Sequence, residues 1–164
     1  MIYGIGTDLC DVGRIEKSIA RPAFLQHVYT PAEQELIVAH TGKKQAETAA
    51  ANFAAKEAFL KACGTGLSGF SMAEIAALRQ PSGAPYLEFT GKAARFMAQN
   101  HLQAHLSLTH EAGLAGAFVV LERVECLPQA VQHGKAFVRF AVHFKARPRR
   151  METLLIAANA ANHL

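Results

Sequence analysis

The chain reads as an α+β protein, with mixed helices packed on a largely antiparallel sheet. Three observations predict this. Helical and strand periodicities come intermixed rather than in regular strand-helix alternation, which argues against a parallel doubly wound sheet. The later strands are joined by hairpin connections, and a hairpin makes its two strands antiparallel. The chain has 164 residues, 51% of them hydrophobic and 18% charged, which is enough apolar material for one real core.

The elements follow in order. Ile2 to Leu9 alternates small and apolar residues and predicts a first strand ending near Asp8, thinned by Gly4 and Gly6. Glycines weaken a strand unless something approaches its backbone, so they point to a neighbouring element or a ligand. Asp11 is placed to cap a helix over Val12 to Ile19, whereas Asp8 has no capping duty. Phe24, Leu25 and Val28 continue a helical signal. Thr30-Pro31-Ala32-Glu33 is a capping box with proline at the first helical position, and predicts a helix to about His40.

After a long central helix, Ser71 to Glu74 repeats the capping-box spacing and opens at most one turn. Ile75 to Arg79 and Tyr86 to Phe89 read as strands joined by a longer loop. Thr90 is the expected cap of a helix from Gly91 to about Asn100. Two further strands, His105 to Thr109 and Leu114 to Leu121, flank an expected turn at His110 to Gly113.

The central stretch, Ala46 to Gly69, is the informative one. At 100° per residue, Ala46, Ala49, Phe53 and Leu60 form an apolar stripe with Glu57 on it. A desolvated carboxylate needs a cation or hydrogen-bond donors. Lys61 is the simple candidate, but an exposed Glu-to-Lys pair at that spacing contributes only ~0.2–0.5 kcal/mol. Gly64 is expected to end the helix, and Gly64, Gly66 and Gly69 expose backbone amides beside a lysine, a pattern that accepts phosphate as well as serving as a plain helix stop.

Composition narrows the partners. Cys10, Cys63 and Cys126 are odd in number and far apart, which reads as reduced thiols in a cytoplasmic protein and leaves no metal knuckle. Neither a signal sequence nor a membrane span is expected. The net charge of +4 calls for an acidic partner. Part of that charge is the run Lys145 to Arg150, in a tail from Arg123 whose texture differs: Val138 to Phe144 alternates as a strand and an alanine-rich helix is expected from Met151. The tail reads as an appendage, giving a domain over 1–122 and an extension over 123–164 of unassigned role.

Asp8, Glu57, Lys61 and the glycine bend form the chemical constellation, provided the fold brings them together. Two carboxylates and several waters suit Mg²⁺ on a phosphorylated substrate, because the ion keeps part of its shell for phosphate oxygens.

The residues GIGTDLCDVGRIE at Gly4 to Glu16, FAAKEAFLKACGTG at Phe53 to Gly66, PSGAPYLEF at Pro81 to Phe89, and SLTHE with GAFVVLE between Ser107 and Glu122 together resemble the holo-acyl-carrier-protein synthases, the small 4′-phosphopantetheinyl transferases of bacterial fatty-acid synthesis. The resemblance implies that family's fold and transfer of phosphopantetheine from coenzyme A to a serine of apo-acyl carrier protein, releasing adenosine 3′,5′-bisphosphate. It implies Mg²⁺ on Asp8 and Glu57, catalysis by these two with Lys61, and coenzyme contacts from Lys61, Gly64, Gly66, Pro85 and His110. It further implies that Arg14 and Arg21 face the acidic carrier protein, and a homotrimer with active sites at subunit interfaces. No counterpart for the tail is implied.

Two other classes remain open at this stage. One is a nucleic-acid-binding module using Lys145 to Arg150, although no nucleic-acid motif accompanies the charge. The other is a phosphate-ligand-binding protein of the same fold without transfer activity.

Overall fold

The computed structural model describes residues 1–64, 66 and 69–124. The strand expected over Val138 to Phe144, the helix from Met151 and the basic run Lys145 to Arg150 lie outside the described residues.

Strand β1 runs Ile2–Asp11, followed by α1 (Val12–Ile19), α2 (Pro22–Val28), α3 (Pro31–Val38) and the long α4 (Gly42–Cys63). A single 3-10 turn, Met72–Glu74, leads into β2 (Ile75–Arg79) and β3 (Pro85–Phe89); α5 (Gly91–Gln99), β4 (Leu102–Glu111) and β5 (Leu114–Arg123) complete the order. Among the described residues all strand pairing is antiparallel, in a three-stranded sheet of order β1-β5-β4 and a two-stranded sheet β2-β3.

Local signals explain most boundaries. Asp11 caps α1 by accepting the Arg14 amide at 2.7 Å. The Thr30–Glu33 and Ser71–Glu74 capping boxes both form. Gly64 closes α4 in the left-handed region, at φ 71°.

Three expectations are corrected. The first strand continues past Asp8 to Asp11, because β5 pairs with it as far as Asp11↔Leu114. His110 lies in strand β4 opposite Ala115, so the turn shrinks to Ala112 and Gly113, both at positive φ. Thr90 makes no side-chain cap to α5; Glu74 does instead, its carboxylate accepting the Lys92 amide at 3.0 Å.

The central helix is a further correction. It is not an amphipathic helix with one buried stripe, because it is buried on nearly every side from Ala49 to Cys63. Phe53, Glu57 and Lys61, spaced i, i+4 and i+8, are instead its more open line. Alanine permits this embedding. α4 packs across β1 and β5, and a Cβ at Gly4 or Gly6 would run into the carbonyl oxygens of Ala62 and Ala58 respectively. The two glycines therefore serve a close approach of helix to strand. Phe59 packs against Phe89 and Phe70 on the other side of α4, with ring centroids 4.6 and 6.1 Å away.

Candidate functional site

The contact between α4 and β1 creates the site. Because the helix lies against the glycine-thinned strand, Lys61 from its last turn reaches back to β1. Its Nζ donates to Asp8 Oδ1 at 2.8 Å and to the Thr7 carbonyl at 3.0 Å. Lys61 therefore partners Asp8, whose side chain is 16% exposed, while its own is 52% exposed. The simple pairing of Lys61 with Glu57 is not the one that forms.

Glu57 sits one helical turn before Lys61, half-buried. Burial pushes its carboxyl above the ordinary glutamate value, the nearby charge of Asp8 adds to this, and Lys61 offsets it in part. Two carboxylates thus share one small region with one lysine between them. Thiol chemistry is unavailable beside them: burial foremost, then the charge of Asp8, pushes Cys10 up to about 11, and burial pushes Cys63 up to about 12.

Among the described residues no group of three or more His, Cys, Asp or Glu side chains could hold a metal. The donor set at Asp8 and Glu57 is two oxygen acids, without nitrogen or sulfur. That suits Mg²⁺, which takes one or two carboxylates and fills the rest of its octahedron with water and phosphate oxygens, better than Zn²⁺ or Ca²⁺. Repulsion between the acids, felt in the titration of Glu57, is a charge a divalent cation would relieve.

The other expected residues fall elsewhere. Gly64 lies three residues after Lys61, and its amide donates to the Lys61 carbonyl at 3.0 Å rather than being offered to a ligand. Gly66 lies two residues on; Thr65, Leu67 and Ser68 are outside the described residues. Pro85 and His110 line a separate cavity of about 460 Å³ with Lys44, Arg79, Leu36 and Leu106, and none of Asp8, Glu57, Lys61, Gly64 or Gly66 reaches it. Arg14 and Arg21 are both exposed, on α1 and just after it. Arg14 is near enough to Cys10 for its charge to act on that thiol. Arg21 is steadied by Ser18 Oγ at 3.4 Å and by the Phe24 ring.

Sequence reasoning passed over a second set of polar residues. Glu33, Asn52 and Lys56 are each 0% exposed. Lys56 Nζ lies 2.6 Å from Glu33 Oε2 and donates also to the Met72 and Ile75 carbonyls. A signal did exist: Lys56 follows Ala54 and Ala55 and lies among the buried positions of α4, where a free lysine cannot stay charged.

The chain matches the family model described as 4′-phosphopantetheinyl transferase superfamily over residues 4–119. It is 45% identical over 132 residues to the holo-[acyl-carrier-protein] synthase of a Methylobacterium species, an alignment covering 74% of this chain and 95% of the relative. With the synthase of Trichlorobacter lovleyi it shares 43% identity over 126 residues, covering 74% of this chain and 98% of that one. The crystal structure of a Bacillus anthracis holo-(acyl-carrier-protein) synthase in complex with CoA (3′,5′-ADP) superposes with a TM-score of 0.65 at 34% identity, over 76% of this chain and 99% of the other. The Neisseria meningitidis synthase gives 0.67 at 32% identity, over 74% and 99%. With the family model and near-complete coverage of these relatives in agreement, the chain belongs to the 4′-phosphopantetheinyl transferase superfamily, among the holo-[acyl-carrier-protein] synthases.

Proposed function

We propose that this protein transfers the 4′-phosphopantetheine group of coenzyme A to a serine of apo-acyl carrier protein, giving the holo-carrier and adenosine 3′,5′-bisphosphate, in the service of fatty-acid synthesis in the cytoplasm. The observation that carries this reading, beside family membership, is that α4 on β1 gathers Asp8, Glu57 and Lys61 into one partly buried cluster.

Asp8 and Glu57 would hold Mg²⁺, which supplies neutralisation of the charge on the pyrophosphate as the bisphosphate leaves. Lys61 is half-exposed on a long stem, so it can turn from Asp8 to a phosphate oxygen and hold the coenzyme against the acids. Glu57, with its raised proton affinity, is the group suited to accept the proton of the attacking serine hydroxyl. The exposed Arg14 and Arg21 would steer an acidic carrier toward this cluster.

Self-association completes the reading. Ile5 and Leu9 of β1 are 54% and 66% exposed, and Phe118 of β5 is 47% exposed on the same sheet. Such an apolar face supports a homotrimer, in which a neighbouring copy would bring its Pro85 and His110 cavity to this cluster. The catalytic domain is assigned to residues 1–122, and the extension over 123–164 is left without a role. No helix of the described residues is long and apolar enough to cross a membrane.

The test is direct. The full chain is incubated with apo-acyl carrier protein, coenzyme A and Mg²⁺, and the carrier is weighed by intact-mass spectrometry. Gain of one phosphopantetheine mass is expected. An unmodified carrier, when an authentic synthase modifies the same preparation, would refute the proposal.

A further inference from the structure

The ammonium of Lys61 has a defined seat on β1. It donates to Asp8 Oδ1 at 2.8 Å and to the Thr7 carbonyl at 3.0 Å. An ammonium has three donors, so the seat takes two of them and leaves one. Asp8 is the more enclosed partner, with its side chain 16% exposed against 52% for the lysine. A half-exposed stem can leave such a seat without opening a cavity in the core.

The charges around the seat are uneven. Asp8 and Glu57 are two acids, and Lys61 is one cation. Glu57, one turn earlier on α4, has neither an ion pair nor a side-chain hydrogen bond among the described residues, although the charges of Asp8 and Lys61 both reach it. With Lys61 seated, one negative charge therefore stays unmatched. A divalent cation shared by the two acids would match both. The ammonium, bonded to an oxygen of the same aspartate, would then be a surplus positive charge beside a dication, and like charges that close repel strongly in a partly buried place. Either cation can hold Asp8 well, but the two together cannot.

A phosphate ligand changes this balance, and here the step rests on the proposed function. The pyrophosphate of coenzyme A offers oxygens that complete the shell of an oxygen-ligated divalent ion, and further oxygens that accept from an ammonium. We propose that Lys61 is an internal counter-ion that competes with the divalent cation for Asp8 and gives Asp8 up when a coenzyme phosphate takes the ammonium, so that cation and coenzyme bind cooperatively. Linkage makes the effect reciprocal: each strengthens the other by the same factor. In the ligand-free protein Lys61 keeps the two acids from holding a cation that has no substrate with it.

The experiment reads cation binding without turnover. Mn²⁺ prefers oxygen ligands in an octahedron, as Mg²⁺ does, and its unbound form is counted by electron paramagnetic resonance; it is titrated into the full chain with no carrier protein present. Lys61→Met, which keeps the length of the stem and removes the charge, should raise the affinity of the ligand-free protein for Mn²⁺ on the order of tenfold, the scale of one hydrogen bond to a charged group. Lys61→Arg keeps the charge and should stay near the wild type. With saturating coenzyme A, and with the binding of Mn²⁺ by coenzyme A alone subtracted, the wild type should gain affinity, and Lys61→Met should gain less by that same factor. Asp8→Asn should lose the site in either case, which ties the signal to this carboxylate. A Lys61→Met affinity equal to or below that of the wild type overturns the proposal, because the lysine would then orient Asp8 for the cation rather than compete with it. An equal rise in Lys61→Arg, or Mn²⁺ binding indifferent to Asp8→Asn, overturns it as well. Carrier modification by a wild type that fails these tests would leave the proposed function standing and remove only this inference.

Discussion

Replacing Lys56 with methionine keeps the length of the side chain and removes its charge. The consequence can be worked from the contacts. Lys56 Nζ serves three acceptors, the Glu33 carboxylate and the carbonyls of Met72 and Ile75, in a place with no access to water. Breaking a buried pair by removing one partner costs about 3–5 kcal/mol, because the other charge stays buried. Glu33 keeps its bonds to the Thr30 and Ala77 amides, the Thr30 hydroxyl and Asn52, which favours the middle of that range, about 4 kcal/mol. With a urea slope of ~1–3 kcal/mol per molar, the unfolding midpoint should fall by about 1.3–4 M. The assay is equilibrium urea unfolding at one protein concentration, since self-association would otherwise shift the midpoint. The paired variant Glu33→Gln with Lys56→Met should be markedly more stable than the sum of its single changes implies. A midpoint shift below ~0.5 M for Lys56→Met, or simple additivity in the pair, would refute the reasoning that this ion pair holds α3, α4 and β2 together.

Three more outcomes are expected. Glu57→Gln should abolish carrier modification, yet stabilise the protein in chelator. The folded pKa of Glu57 is raised, so the native state binds this proton more tightly than the unfolded chain and loses stability as pH climbs through that value. The variant should thus melt above the wild type at neutral pH and the two should converge below the ordinary glutamate value; a wild type that melts higher at neutral pH contradicts this. Arg14→Glu and Arg21→Glu should slow association with the carrier protein in stopped-flow measurements, by an amount that shrinks as salt rises, and unchanged rates at low salt would place the docking surface elsewhere. A chain ended after Val124 should stay folded and keep transfer activity; if it precipitates or changes its assembly state in light scattering while the full chain does not, the extension belongs to the assembly.

Local chemistry made much of the architecture legible. Asp11, Thr30 and Ser71 announce their helix starts and Gly64 its helix end, because caps are written in a few adjacent residues. Thr90 misled for a nonlocal reason: Glu74, distant in sequence, had already taken the Lys92 amide. The cluster of Asp8, Glu57 and Lys61 was legible from the type and spacing of its residues, but its pairing was not. Helical spacing suggested Lys61 with Glu57, whereas the approach of α4 to β1 gives Lys61 to Asp8. Periodicity also failed on α4, since an alanine-rich helix buried on nearly every side has no polar face to mark its orientation. Hence Lys56 and Asn52 passed unnoticed, and with them the second duty of Glu33, which caps α3 and anchors the interior at once.

Where Gly4 meets Ala62 and Gly6 meets Ala58, main chain touches main chain. Elsewhere in a core a layer of side chains cushions each substitution by repacking; here no cushion exists. The spacing of the two acids is therefore inherited from the backbone and cannot be tuned by neighbouring residues. Diversification is divided accordingly. The exposed flank of α1 and the rim of the cavity lie off this contact, so a lineage can exchange residues there without moving Asp8 relative to Glu57.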